Sequence, residues 1–177
     1  MKFNKTQLKD VVIIDLDKLE DSRGFFARAY CNEEFASQGL NTEWAQCNTA
    51  YNLTKGILRG MHFQNSPHAE VKLVRCTRGA IYDVIVDLRE DSPSFKKWLG
   101  VELTADNHKM LYVPKGFAHG YLTLEDNSEI FYQVSNPYAS GAEGGVRWND
   151  SAFNIDWPMT EGLLISDKDA KWPDYNK

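Results

Sequence analysis

Apolar and polar residues alternate with period two along much of the chain. Over 81–88, Tyr82, Val84, Val86 and Leu88 share one face, and Ile81, Asp83, Ile85 and Asp87 share the other, which is the pattern of a β-strand. Residues 71–76 read as a second strand, joined to it by a hairpin turn at Thr77-Arg78-Gly79. The same signal predicts strands over 11–14, 25–30, 56–64, 99–103, 110–113, 118–124 and 130–134. Turn-forming clusters at Glu90-Asp91-Ser92-Pro93, Pro114-Lys115-Gly116 and Glu125-Asp126-Asn127 separate them. Many short, regularly spaced strands predict an all-β sandwich, jelly roll or barrel. Helix is confined to 32–38, with Asn32 as N-cap and Gly39 as its stop. From Asn149 onward the chain reads as loop with short helical turns.

Composition narrows the class. A chain of 177 residues, 42% hydrophobic and 25% charged, has globular make-up rather than that of a disordered segment. With no linker, low-complexity tract or repeat, one domain over 1–177 is expected. A net charge of −5 argues against a sequence-independent nucleic-acid binder. Apolar runs such as Val11-Val12-Ile13-Ile14 are too short to span a bilayer, and the N-terminal lysines precede no apolar signal region. Cys31, Cys47 and Cys76 form no CxxC pair, so free thiols in a reducing cytoplasm are expected.

Polar residues interrupt the strands. His62 lies within 56–64, and Lys72 shares a face with Val74 and Cys76. Asp83 sits between Ile81 and Ile85, His119 follows Ala118, and Tyr132 lies between Ile130 and Val134. In a jelly roll such residues line a cavity between the sheets and can supply a base, an acid and an oxyanion clamp. Each also has a structural reading: a hydrogen-bonded histidine, a snorkelling lysine, a solvent-facing aspartate, a core tyrosine. The four histidines form no HxH or HxxxH pair, and Gln64 occupies the second position of the former, which counts against a metal site. No GxGxxG, P-loop or GxSxG motif is present.

The segments Asp21-Ser22-Arg23-Gly24-Phe25-Phe26, Gly56-Ile57-Leu58-Arg59-Gly60-Met61-His62-Phe63-Gln64, Lys72-Leu73-Val74-Arg75, Asp83 through Arg89 and Val113 through Gly120 resemble the dTDP-4-dehydrorhamnose 3,5-epimerase family. So do Trp148-Asn149-Asp150, Ile155-Asp156-Trp157-Pro158 and Ile165 through Asp169. The resemblance implies a cupin-like double-stranded β-helix, homodimeric, without metal or redox cofactor. It implies inversion of C3 and C5 in a nucleotide-linked 4-keto-6-deoxyhexose, a step of deoxysugar and polysaccharide biosynthesis. It assigns His62 as base with Asp169 as its partner, Lys72 as the enolate-stabilising cation and Tyr132 as the acid. His119 and Asp83 then line the sugar pocket, Arg59, Arg23 and Lys168 meet the diphosphate, and Gln46, Asn48, Tyr138 and Glu143 contact the nucleotide.

Three positions depart from the family pattern. Arg28 replaces a glutamate that contacts the nucleotide; a guanidinium donates where a carboxylate accepts, so a CDP- or GDP-sugar and a single inverted centre form an alternative. Glu70 stands where glutamine is usual, and Tyr51 is bulkier than the usual residue, which predicts a restricted sugar pocket. A metal-dependent cupin oxygenase and a non-catalytic sugar-binding cupin are the competing classes. The missing HxH pair opposes the first and the intact set His62, Lys72, Tyr132 and Asp169 the second.

Overall fold

The computed structural model describes residues 1–175. Its chain runs through β1 (Lys2–Lys5), β2 (Val12–Asp15), β3 (Leu19–Asp21), β4 (Gly24–Phe26), α1 (Asn32–Ser37), β5 (Gln46–Asn52), β6 (Ile57–Gln64) and β7 (Lys72–Arg78). It continues through β8 (Ala80–Asp87), β9 (Trp98–Thr104), β10 (Met110–Val113), β11 (Phe117–Thr123), β12 (Ser128–Val134), β13 (Glu143–Gly145), β14 (Leu164–Ile165) and α2 (Asp167–Ala170). The first sheet has the order β1-β2-β10-β7-β12-β5, and the second β13-β6-β11-β8-β9, with β14 parallel to β6. β3 and β4 form a separate two-stranded ribbon. Spatial neighbours are thus distant in sequence, as in a cupin-like jelly roll.

Alternation dictates three apolar layers. Inward residues of both sheets, among them Val74, Ile81, Ile85, Leu111 and Ile130, form the core between them. Outward residues of the second sheet, including Met61, Val84 and Leu122, are covered by Phe153 and Trp157 of the C-terminal segment. Leu73, Met110 and Tyr112 of the first sheet are covered by Phe35 of α1. Both faces of β8 are therefore buried, and Asp83 and Asp87 are fully enclosed rather than solvent-facing.

Several local expectations are corrected. β7 and β8 do not pair, so the turn at Gly79 is no hairpin but a corner that carries the chain from one sheet to the other. Its φ of +70° and the Ser128 side chain, 2.5 Å from where a Cβ would sit, require glycine there. The strand expected over 25–30 ends at Phe26. The N-cap of α1 is Cys31, not Asn32, and no side chain caps it; Asn32 turns its amide to the Thr42 carbonyl instead. Strands β1, β3, β5, β13 and β14 escape period-two reading. Three are only two to three residues long, and β1 and β5 are polar edge strands. Among the described residues no helix is long and apolar enough to cross a membrane.

Candidate active site

A cleft opens between the sheets in two adjoining lobes that share His62, Lys72 and Tyr132. The outer lobe, about 320 Å³, is further lined by Gln46, Asn48, Gln64, Glu70, Tyr138 and Glu143. The inner lobe, about 190 Å³, is further lined by Ala50, Arg59, His119 and Tyr121. His62 belongs to the second sheet, whereas Lys72 and Tyr132 belong to the first.

Register explains how each side chain reaches this space. Arg59 and His62 are three apart, which in a regular strand points them to opposite faces. Both line the inner lobe because β6 bulges against β11: His119 pairs with His62, but Tyr121 pairs with Arg59. The bulge needs glycine at position 60, where φ is +138° and a Cβ would fall 2.5 Å from the Gly120 Cα. β14 lies beside the start of β6, and the Ser166 side chain caps α2 by accepting from Asp169 N, so the Asp169 carboxylate is delivered to His62.

Asp169 Oδ1 lies 2.6 Å from His62 Nε2, and its Oδ2 accepts from Gly60 N at 3.2 Å. Burial alone would raise the Asp169 carboxyl. The hydrogen bonds from His62 and from Gly60 N outweigh it and hold the group below its ordinary value. An ionised carboxylate accepts, so Nε2 carries the hydrogen and Nδ1 the lone pair of a neutral His62. A second pair, His119 Nε2 to Asp83 Oδ1 at 2.8 Å, lies deeper. Burial, then the Glu70 charge, push the Tyr132 phenol up, and its cross-strand neighbour Asn48 hydrogen-bonds it.

The rim is equally structured. Arg59 donates to Asn52 Oδ1 at 2.9 Å, and Asn52 also accepts from the buried Tyr121 hydroxyl. Gln46 donates to Asn48 and accepts from Tyr138 N, tying the exposed Tyr138 to β5. Glu143 accepts from Tyr138 Oη at 3.0 Å and from Lys168 Nζ at 2.6 Å.

Of the residues singled out from sequence, the fold brings His62, Lys72, Tyr132, Gln46, Asn48, Arg59, His119, Tyr138 and Glu143 to the cleft wall. Asp169 and Asp83 stand directly behind it as partners of His62 and His119, and Lys168, half-exposed, pairs with Glu143 at the rim. Arg23 and Arg28 do not line the cleft of their own chain. They pair with Asp21 and Glu34 on the exposed N-terminal side. Tyr51 does not restrict the pocket: alternation in β5 turns it outward to Asn127, and Ala50 faces the inner lobe. Gln64, Glu70, Tyr121 and Ala50 line the wall without being among the expected site residues. For Ala50 the signal is the alternation Gln46, Asn48, Ala50 along β5, a polar edge strand that period-two reading passes over; Gln64 and Tyr121 lie on strands that it finds. Among the described residues no group of three or more His, Cys, Asp or Glu side chains is arranged to hold a metal ion.

The family model described as dTDP-4-dehydrorhamnose 3,5-epimerase matches residues 5–177. The dTDP-4-dehydrorhamnose 3,5-epimerase of Escherichia coli K12 is 44% identical over 172 residues, which is 97% of this chain and 92% of that one. The crystal structure of the enzyme of that name from Elizabethkingia anophelis NUHP1 superposes with a TM-score of 0.96 at 42% identity, covering 99% of this chain and 96% of that one. A dTDP-6-deoxy-D-glucose-3,5-epimerase from Legionella pneumophila Philadelphia 1, in complex with dTDP-4-keto-L-rhamnose, superposes with a TM-score of 0.91 at 33% identity, covering 98% and 92%.

Proposed function

The chain belongs to the dTDP-4-dehydrorhamnose 3,5-epimerase family, and on that premise we propose that its cleft performs the family's reaction with His62 as base and Tyr132 as acid. The enzyme is an isomerase that inverts C3 and C5 of a dTDP-linked 4-keto-6-deoxyhexose, taking dTDP-4-dehydro-6-deoxyglucose to dTDP-4-dehydrorhamnose. The 4-keto group acidifies the hydrogens on both flanking carbons. His62 takes one of them on Nδ1, the nitrogen that Asp169 leaves free. The electron pair moves to the carbonyl oxygen, and the Lys72 ammonium stabilises the enolate. Tyr132 then returns a proton to the opposite face. A proton leaves and a proton arrives at each carbon, and solvent takes the proton from His62 and restores that of Tyr132 between the two, so the balance needs no oxidant or reductant.

The observation that carries this reading is the placement of base and acid on opposite sheets across one cavity. A single side chain cannot reach both faces of a bound ring, and this arrangement supplies one group for each. Burial favours the protonated form of the Tyr132 phenol, the form a donor needs. His119 and Asp83 line the sugar pocket, and Arg59 and Lys168 serve the diphosphate. Gln46, Asn48, Tyr138 and Glu143 hold the nucleotide, with Tyr138 exposed at the mouth for stacking on the base.

The working unit is a homodimer of single-domain chains. The β3–β4 ribbon presents Phe26 at 71% and Leu19 at 70% exposure, and a two-stranded ribbon is marginal alone in water. Across the dimer its Arg23 and Arg28 serve the partner's cleft. Turnover of the dTDP-linked substrate in deuterium oxide, followed by proton NMR, tests the reaction. Deuterium at both C3 and C5 is expected, and deuterium at one carbon alone would refute double inversion.

A further inference from the structure

Glu70 has no part in the chemistry derived so far, yet its carboxylate lines the outer lobe and is only 11% exposed. Such a burial is costly unless both oxygens are used. Both are: Oε1 lies 3.2 Å from Lys72 Nζ, and Oε2 accepts from Gln64 Nε2 at 2.8 Å. Gln64 cannot turn its amide round. Its nitrogen also donates to the carbonyls of His68 and Pro137, and its oxygen accepts from Ala139 N at 2.7 Å. The Glu70 carboxylate is therefore fixed from behind and offers one oxygen to the lysine.

Lys72 needs that anchor. An ammonium on a four-carbon stem has many rotamers, whereas an electrostatic catalyst acts only when its charge already stands where the negative charge develops. We propose that Glu70 is a positioning residue that holds the Lys72 ammonium in a single orientation over the 4-keto oxygen. The inference rests on Lys72 as the enolate-stabilising cation. Glu70 withdraws part of that cation's charge, so orientation and charge predict opposite signs. If orientation dominates, losing Glu70 slows the enzyme; if charge dominates, losing it speeds the enzyme.

The test uses Glu70→Ala and Glu70→Gln in the full-length protein, reading solvent deuterium uptake, inversion, kcat and KM. Glu70→Ala is expected to lower kcat by roughly tenfold to a hundredfold, the cost of a misplaced catalytic group. Exchange and inversion should fall together, with KM changed less than the rate. Glu70→Gln should recover part of the loss: its amide oxygen can still accept from Lys72, while its NH₂ meets the immovable Gln64 donor. In a Lys72→Ala background, Glu70→Ala should cost nothing more. Additive losses would show that Glu70 acts without Lys72 and overturn the proposal, as would wild-type or faster rates in both single variants. If Lys72→Ala itself leaves exchange untouched, the enolate reading of Lys72 falls first and takes this inference with it.

Discussion

His62 and Tyr132 differ in what their loss should do, because deprotonation precedes the choice of face. His62→Ala removes the base and should abolish solvent exchange and inversion alike, by ~10²–10⁴-fold or more. Tyr132→Phe removes only the hydroxyl and keeps the ring's packing against the core. Exchange should survive while inversion falls, because the proton then returns mainly from the His62 side. The exchange-to-inversion ratio, read by NMR, decides; equal losses in Tyr132→Phe with exchange retained in His62→Ala would reverse the assignments. The thiols offer a second residue-scale check. Burial pushes Cys76 up to about 11, whereas Cys47 is exposed. Near neutral pH a thiol reagent should label Cys47 rapidly and Cys76 only after denaturation, as mass spectrometry of labelled peptides would show.

At the scale of elements, two junctions hold the site in place. The β6 bulge aims both Arg59 and His62 inward, and Gly60→Ala sets a Cβ against the Gly120 backbone at a φ few side chains adopt. A loss of activity together with a lower melting temperature is expected. At the end of β8, Asp87 accepts from Arg89 at 2.8 Å, Ser92 at 2.6 Å and Ser94 at 2.7 Å, pinning the following loop. Burial would raise its carboxyl, but these donors bring it from 3.8 down to about 2. A carboxyl lowered on folding stabilises the protein above its unfolded value, and that contribution disappears as pH falls from 3.8 towards about 2. Asp87→Asn should therefore cost about 3 kcal/mol at neutral pH, and the gap to wild type in denaturant titrations should narrow near pH 2. These junctions also mark what sequence reading could reach. Period two located β6 and β10 and most of β2, β7, β8, β9, β11 and β12, and the polar interruptions on those strands named four residues of the cleft wall and Asp83 behind it. Alternation is blind to which strands pair: the Gly79 corner looked like a hairpin because a glycine turn between two strands has the same local chemistry in both. Asp169 carries no periodic signal, since its place depends on β14 docking beside β6. Motif resemblance supplied it where pattern could not.

At the scale of the whole molecule, the features left over point outside the single chain. Arg23 and Arg28 reach no cleft of their own, the β3–β4 ribbon exposes Leu19, Phe25 and Phe26, and β5, which carries Gln46 and Asn48, has an unpaired edge. A ribbon delivered to the partner's cleft would account for all three, and sedimentation at micromolar concentration should find a dimer. Arg28 bears on the nucleotide: if it reaches the base, Arg28→Glu restores an acceptor and should favour dTDP over CDP or GDP in a titration. Exchange of ribbons makes a sharper prediction. Arg23→Ala and His62→Ala should each be impaired alone, the first through the diphosphate and the second through the base. In a mixed dimer, the cleft of the Arg23→Ala chain keeps its own His62 and receives an intact ribbon from its partner. That cleft is complete, while the other lacks both. Random mixing of equal amounts makes half of the dimers mixed, each with one complete cleft in two, so about one quarter of wild-type activity should return after the two variants are unfolded and refolded together. Should the mixture show only the average of the separate variants, although sedimentation finds it dimeric, the ribbon serves its own chain and Arg23 acts in cis.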